Sequence, residues 1–286
     1  MNDYKIITDS TSDLPLDIIK SLDIEVIPMQ YVMENKIYYD DQLNTKEFYD
    51  RIRNGILPST TQINVEEFKR YFSYHLEKNK DLIYIGLSSS FSGMYNNAVM
   101  AGKELSLKYH DRKIKIIDSL SASLGQGMLV YWAAKKKLNG NSLDDVAQWV
   151  NSNKARLCHW FMVDDLYHLQ RGGRISSAHA VLGSMLNFKP LLFIDDQGKL
   201  SVSQKIRGRL KTIDAMISKL KLMSPDIENN TLFIAHGDCL EDAEFIANRI
   251  CKEFQVKKVV LNHIGPIIGS HTGAGTLGVF FLGDSR

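Results

Sequence analysis

The chain has 286 residues, 44% hydrophobic and 24% charged. That length suggests two domains at about 150 residues each, and the composition excludes a disordered, collagen-like or coiled-coil chain. Lysine and arginine total 35 against 33 acidic residues, a formal net charge of +2, and the densest basic run is only Lys135-Lys136-Lys137, so no footprint for nucleic acid is present.

Three cysteines, Cys158, Cys239 and Cys251, have no C-x-x-C spacing. They read as reduced thiols of a cytoplasmic protein rather than a disulfide framework or a zinc site. The N-terminus has no apolar signal core. No run approaches the length of about 18 apolar residues that a membrane span needs.

In chain order, Lys5-Ile6-Ile7-Thr8 reads as a first strand, and Pro15 opens a helix through Ile18, Ile19 and Leu22. Residues 24–28, 81–87 and 113–118 read as further strands, with helix-period segments around 45–54, 66–78, 95–109 and 127–137. Strands separated by single helices argue βαβ units, so residues 1–157 are expected to form an α/β domain with a mostly parallel sheet. Hydroxyl- or glycine-rich loops at 9–12, 88–93 and 118–123 follow these strands. Open α/β sheets bind ligands there, although each hydroxyl also suits a plain helix N-cap.

Residues 158–286 read differently. A short helix at 166–169 stops at Gly172-Gly173, and a second runs from 175 to 189. A hairpin follows at 191–202 with a polar turn, then helices at 209–222 and 241–253 and strands at 231–235, 257–262 and 277–282. The expectation is a second α/β domain with a mixed or antiparallel sheet, and a ligand between the two domains.

Gly273-Ala274-Gly275-Thr276-Leu277-Gly278 matches G-x-G-x-x-G, but it leads into a strand near the chain's end. A dinucleotide fingerprint opens a helix instead. Neither a Walker-type loop nor a G-x-S-x-G elbow occurs, and the eight histidines show no metal spacing. Two positions stand out. Ser92 sits where a strand gives way to a helix, as an N-cap or as a donor to a carboxylate or phosphate. His271 lies among glycines and hydroxyls, as an ordinary histidine or as a ligand contact. The pairs Asp40-Asp41, Asp164-Asp165 and Asp195-Asp196 read as turn or cap residues.

Several segments in order resemble the DegV family: 6–14 (IITDSTSDL), Ser59-Thr60-Thr61-Gln62, 92–98 (SGMYNNA), Asp118-Ser119 with Gly125-Gln126-Gly127, and Arg171-Gly172-Gly173-Arg174-Ile175. Lys189-Pro190, Asp196-Gln197-Gly198 and 264–273 (IGPIIGSHTG) complete the set. The resemblance implies a bacterial fatty-acid carrier without catalytic activity, metal or cofactor. A palmitate-, stearate- or oleate-like ligand would lie in a buried tunnel, its carboxylate held between two α/β domains. It implies carboxylate contacts at Thr61 (favoured over Thr60), Ser92 and His271, with Thr60, Gly93 and Ser270 as further pocket residues. Arg174 and Arg207 would face a fatty acid kinase that forms an acyl phosphate. Met94 and Ala274 depart from the family's usual threonine and proline. Hydroxyls and an imidazole would offset the buried carboxylate without a second full charge. The competing expectation is an acyl- or phosphoryl-transferring enzyme with Ser92 as nucleophile and His271 as base.

Overall fold

The computed structural model describes residues 3–175, 188–224, 226 and 231–286. The helix expected from 175 to 189 therefore falls outside the described residues over 176–187. In the first sheet, β2 (Ile24–Ile27), β1 (Tyr4–Asp9), β6 (Asp81–Gly86) and β7 (Ile114–Asp118) lie side by side in that order. All its pairings are parallel, as the alternation of strands and helices predicts.

Its central strands β1 and β6 are buried throughout, so they read as apolar runs rather than alternating ones. Along β6, Leu82 and Tyr84 join one core with Phe68 and Phe72 of α3 (Val65–Leu76) and Ala98 and Ala101 of α4 (Met94–Lys108). Ile83 and Ile85 join another with Met128 of α5 (Ser123–Leu138) and Val146 of α6 (Leu143–Asn153).

The second sheet has the order β10 (Leu200–Arg207), β9 (Phe188–Ile194), β8 (Leu157–Met162), β13 (Leu277–Leu282), β11 (Thr231–His236), β12 (Lys258–His263). Only β11 and β12 pair in parallel. Phe233, Ala235 and Phe280 face α5. Leu232, Ile234 and Phe281 face Ile213 and Met216 of α8 (Arg209–Met223) and Ile246 and Ile250 of α9 (Leu240–Phe254). Helix α5 is thus the shared layer between the sheets, which is why Leu124, Met128, Leu129 and Val130 are all buried at consecutive or near-consecutive positions.

Three features go beyond the sequence reading. Strand β8 is central and wholly buried, and its run Leu-Cys-His-Trp-Phe-Met has no alternation to mark it. A small antiparallel sheet joins β4 (Lys36–Tyr39), β3 (Gln30–Met33) and β5 (Ser59–Thr60). Helix α10 (Pro266–Thr272) forms in a segment that reads as a glycine-rich loop, with Pro266 at its first position, where a missing N–H costs nothing.

The domains are tied across their boundary. The hairpin tip between β9 and β10 accepts hydrogen bonds from Ser88 Oγ at Gly198 O (2.9 Å) and from Ser90 Oγ at Gln197 O (2.7 Å). Tyr49, on α2 (Thr45–Arg53), donates its hydroxyl to Ile264 O (2.9 Å).

Candidate functional site

Between the carboxyl ends of the first sheet and the inner face of the second lies a cavity of about 450 Å³, within the range of about 300–1,000 Å³ typical of small-molecule sites. Most of its wall is apolar. Phe161, Ile194, Leu200 and Phe280 come from the second sheet, and Ile264 and Ile267 from the approach to α10 and the helix itself.

Several polar groups in the wall have their protons committed inside the protein. Thr272 Oγ1 donates to Ile268 O (3.1 Å), Thr276 Oγ1 reaches Thr272 O (3.0 Å), and Ser123 donates to Asp13. His159 Nε2 meets Ser121 Oγ at 2.5 Å.

His159 Nδ1 is buried without a partner. More polar groups gather at one corner, where β5, the start of α4, the turn after α7 (Tyr167–Arg171) and the end of α10 converge. Thr60 Oγ1 lies 2.9 Å from His271 Nε2, and His271 Nδ1 is buried without a hydrogen-bond partner. Burial pushes the imidazole down to about 4, and the nearby guanidiniums of Arg174 and Arg171 push the same way. His271 is therefore neutral at pH 7.

Ser92 Oγ accepts the Met94 N–H at 3.2 Å in the turn that leads into α4, whose N-cap is Gly93, while its own proton stays available; Ser92 and Gly93 both line the cavity. The N-cap role expected of Ser92 thus falls to Gly93, one residue on.

Thr61 also lines the cavity, but its hydroxyl donates to Gln30 O at 3.2 Å. Ser270 is buried, and its hydroxyl turns back to Pro266 O at 2.7 Å, away from the cavity. Arg207 is exposed at the end of β10.

Arg174 differs from the outward residue that its sequence context suggests. Gly173 takes a left-handed φ of 68°, turning the chain after α7 so that Arg174 points into the cavity wall. Its Nε donates to Phe91 O at 3.0 Å, and its guanidinium also reaches Gly172 O. Burial alone draws its pKa down, with no acidic neighbour acting on it. It remains a cation, half-buried, with no carboxylate to offset it among the described residues.

No hydrogen bond joins Ser92 to His271, whose ring nitrogen meets Thr60 instead. Among the described residues no cluster of three His, Cys, Asp or Glu side chains is able to hold a metal, and no helix is long and apolar enough to cross a membrane.

Comparison with known proteins matches this architecture along its length. A family model described as "Uncharacterised protein, DegV family" covers residues 3–284. A DegV domain-containing protein of Clostridium perfringens is 44% identical over 289 aligned positions, covering 100% of this chain and 99% of the relative. Among solved structures, a fatty-acid-binding DegV family protein from Thermus thermophilus superposes with a TM-score of 0.91 at 28% identity, over 99% of this chain and 100% of that one. DegV from Bacillus subtilis, a fatty acid binding protein, does so with a TM-score of 0.88 at 30% identity and the same coverage. The chain described here belongs to the DegV family.

Proposed function

We propose that this protein is a cytoplasmic carrier of a long-chain fatty acid, palmitate-, stearate- or oleate-like. The acyl chain would fill the cavity and the carboxylate would sit at Thr60, Ser92, His271 and Arg174. One observation carries the reading: a mostly apolar cavity has in its wall, beside Thr60, Ser92 and His271, a half-buried arginine with no acid beside it. An anion on an apolar tail completes both requirements. The fatty-acid-binding relatives from Thermus thermophilus and Bacillus subtilis support it.

Each buried methylene contributes about 0.8 kcal/mol, so roughly 15 of them supply on the order of 12 kcal/mol gross, before the cost of association. Arg174 then offsets the carboxylate's charge, and Ser92 and the Thr60–His271 pair complete its hydrogen bonds. We extend the reading to presentation of the carboxylate to a fatty acid kinase, with exposed Arg207 and the rim side of Arg174 facing that partner.

Organic extraction and mass spectrometry of freshly purified protein test the carrier reading. A bound fatty acid of about 14–18 carbons near one per chain is the expected result, from the apolar wall of the cavity. A protein that emerges lipid-free and takes up neither palmitate nor oleate overturns it. Acyl-phosphate production with ATP and a fatty acid kinase tests the extension separately.

A further inference from the structure

Asp13 does not line the cavity, yet it touches what shapes it. It closes the short 3-10 turn after β1 with a left-handed φ of 50°, and it is buried between the two domains. Its Oδ1 accepts the Gly265 N–H at 2.9 Å, at the residue that opens α10. Its Oδ2 accepts the hydroxyl of Ser123, the first residue of α5 and part of the cavity wall, at 2.5 Å. Its main-chain carbonyl accepts Asn262 Nδ2–H at 2.8 Å, just beyond the middle of β12.

A Cβ on residue 265 would stand 2.9 Å from Oδ1, so glycine there lets the carboxylate reach the helix. The charged neighbours acting on Asp13 are Asp9 and Asp40, both acids, and the phenol of Tyr49 also feels it. Its contacts to both helices are thus N–H and O–H donors at helix starts, where the positive ends of the helix dipoles favour a carboxylate.

We propose that Asp13 is a positioning residue for the ligand site, clasping the start of α10 to the start of α5 and so setting where His271 meets Thr60. The ligand in this statement rests on the fatty-acid reading; the clasp itself does not. Helix α10 has seven residues, about 10 Å at 1.5 Å per residue, so a tilt of about 10° at Gly265 displaces its far end by roughly 2 Å. That parts the Thr60–His271 contact.

The test uses delipidated full-length protein: NMR of ¹⁵N-labelled histidine rings, assigned with a His271 variant, and calorimetric titration with oleate. Asp13→Ala should move the His271 ring-nitrogen signals and weaken oleate binding about tenfold or more, through loss of the hydrogen bonds that hold the start of α10. Asp13→Asn keeps an acceptor for Gly265 and offers a donor to Ser123. It should restore the His271 signals and bring affinity within about threefold of the parent. Gly265→Ala, which crowds Oδ1, should shift the His271 signals in the direction of Asp13→Ala.

Unmoved His271 signals in Asp13→Ala overturn the proposal, even if affinity falls. So does an Asp13→Asn variant no closer to the parent than Asp13→Ala. If Asp13→Ala does not fold, a His271 shift in Gly265→Ala but not in Asp13→Asn supports the clasp, and any other pattern overturns it. A parent protein that takes up no oleate sinks the fatty-acid reading, while the ring-nitrogen signals still decide the role of Asp13.

Discussion

The two ends of α10 pose opposite polar problems and solve them differently. At its start, the Asp13 carboxylate is buried among acids, yet Gly265 and Ser123 supply donors to both of its oxygens. At its far end, His271 is held neutral beside two arginines, with one ring nitrogen on Thr60 and the other without a partner. Arg174 next to it has no acid at all acting on it. A buried polar cluster whose partners all come from the chain is scaffold. One that is left incomplete, at the wall of an apolar cavity, asks for a ligand that completes it.

The largest effects that sharpen this contrast concern pH. Burial pushes the Asp13 carboxyl up to about 7 from an ordinary 3.8, so the folded state holds this proton more tightly than the unfolded one. Its contribution to stability is fully present below about pH 4 and is lost as pH rises through about 7, at most about 4 kcal/mol. Asp13→Asn should therefore gain stability over the parent between pH 5 and 8 in chemical denaturation; a constant difference across that range assigns the carboxyl an ordinary titration.

His271 runs the other way. Its folded value of about 4 lies below the ordinary 6.5, so stability is lost as pH falls from about 6.5 toward 4, by up to about 3 kcal/mol. His271→Gln should flatten that acid limb, and an unchanged limb would place the titrating group elsewhere.

Next in size is Arg174→Ala. Losing a charged partner of the carboxylate should weaken oleate binding by about 1.5–3 kcal/mol, roughly 10–150-fold, with the fold intact. Removing that cation should also raise the His271 pKa, read by ring-proton NMR. Parent affinity in this variant would return Arg174 to the role of a surface docking residue alone.

Single hydroxyls should matter less. Ser92→Ala and Thr60→Val are each expected to cost about 1 kcal/mol, roughly fivefold in calorimetric affinity. Thr61→Val should cost less, because that hydroxyl already serves Gln30 O. A larger loss at Thr61 than at Thr60 would reverse the assignment of the headgroup hydroxyl.

The smallest effect on binding belongs to exposed Arg207. Arg207→Ala should leave oleate affinity unchanged and slow acyl-phosphate formation by a fatty acid kinase, much as added salt does to the parent, since rim charges act chiefly on association. An unchanged kinase rate at all carrier concentrations would remove Arg207 from the docking face.

Much of this molecule was legible in its sequence because the relevant signals are local. Apolar runs separated by helix-period segments define the parallel sheet, a polar turn between two apolar runs marks the β9–β10 hairpin, and apolar periodicity marks α8 and α9. Ser92 at a strand-to-helix junction and His271 among glycines were visible as candidates for the same reason.

The tertiary structure decided what depends on distant partners. Strand β8 has no pattern of its own because both of its faces are covered, and β5, two residues long, exists only through its pairing with β3. Neighbouring residues of an extended chain point to opposite sides, so the path of the backbone through β5 brings Thr60 rather than Thr61 to His271. The left-handed turn at Gly173 sends Arg174 into the cavity wall. Asp13, one of several acids in its loop, gains its place only because Ser123, Asn262 and Gly265 arrive beside it from 110 to 252 residues away. Periodicity is written along the chain, whereas the direction a side chain faces is set by backbone dihedrals and by contacts that close only when the two sheets pack on α5.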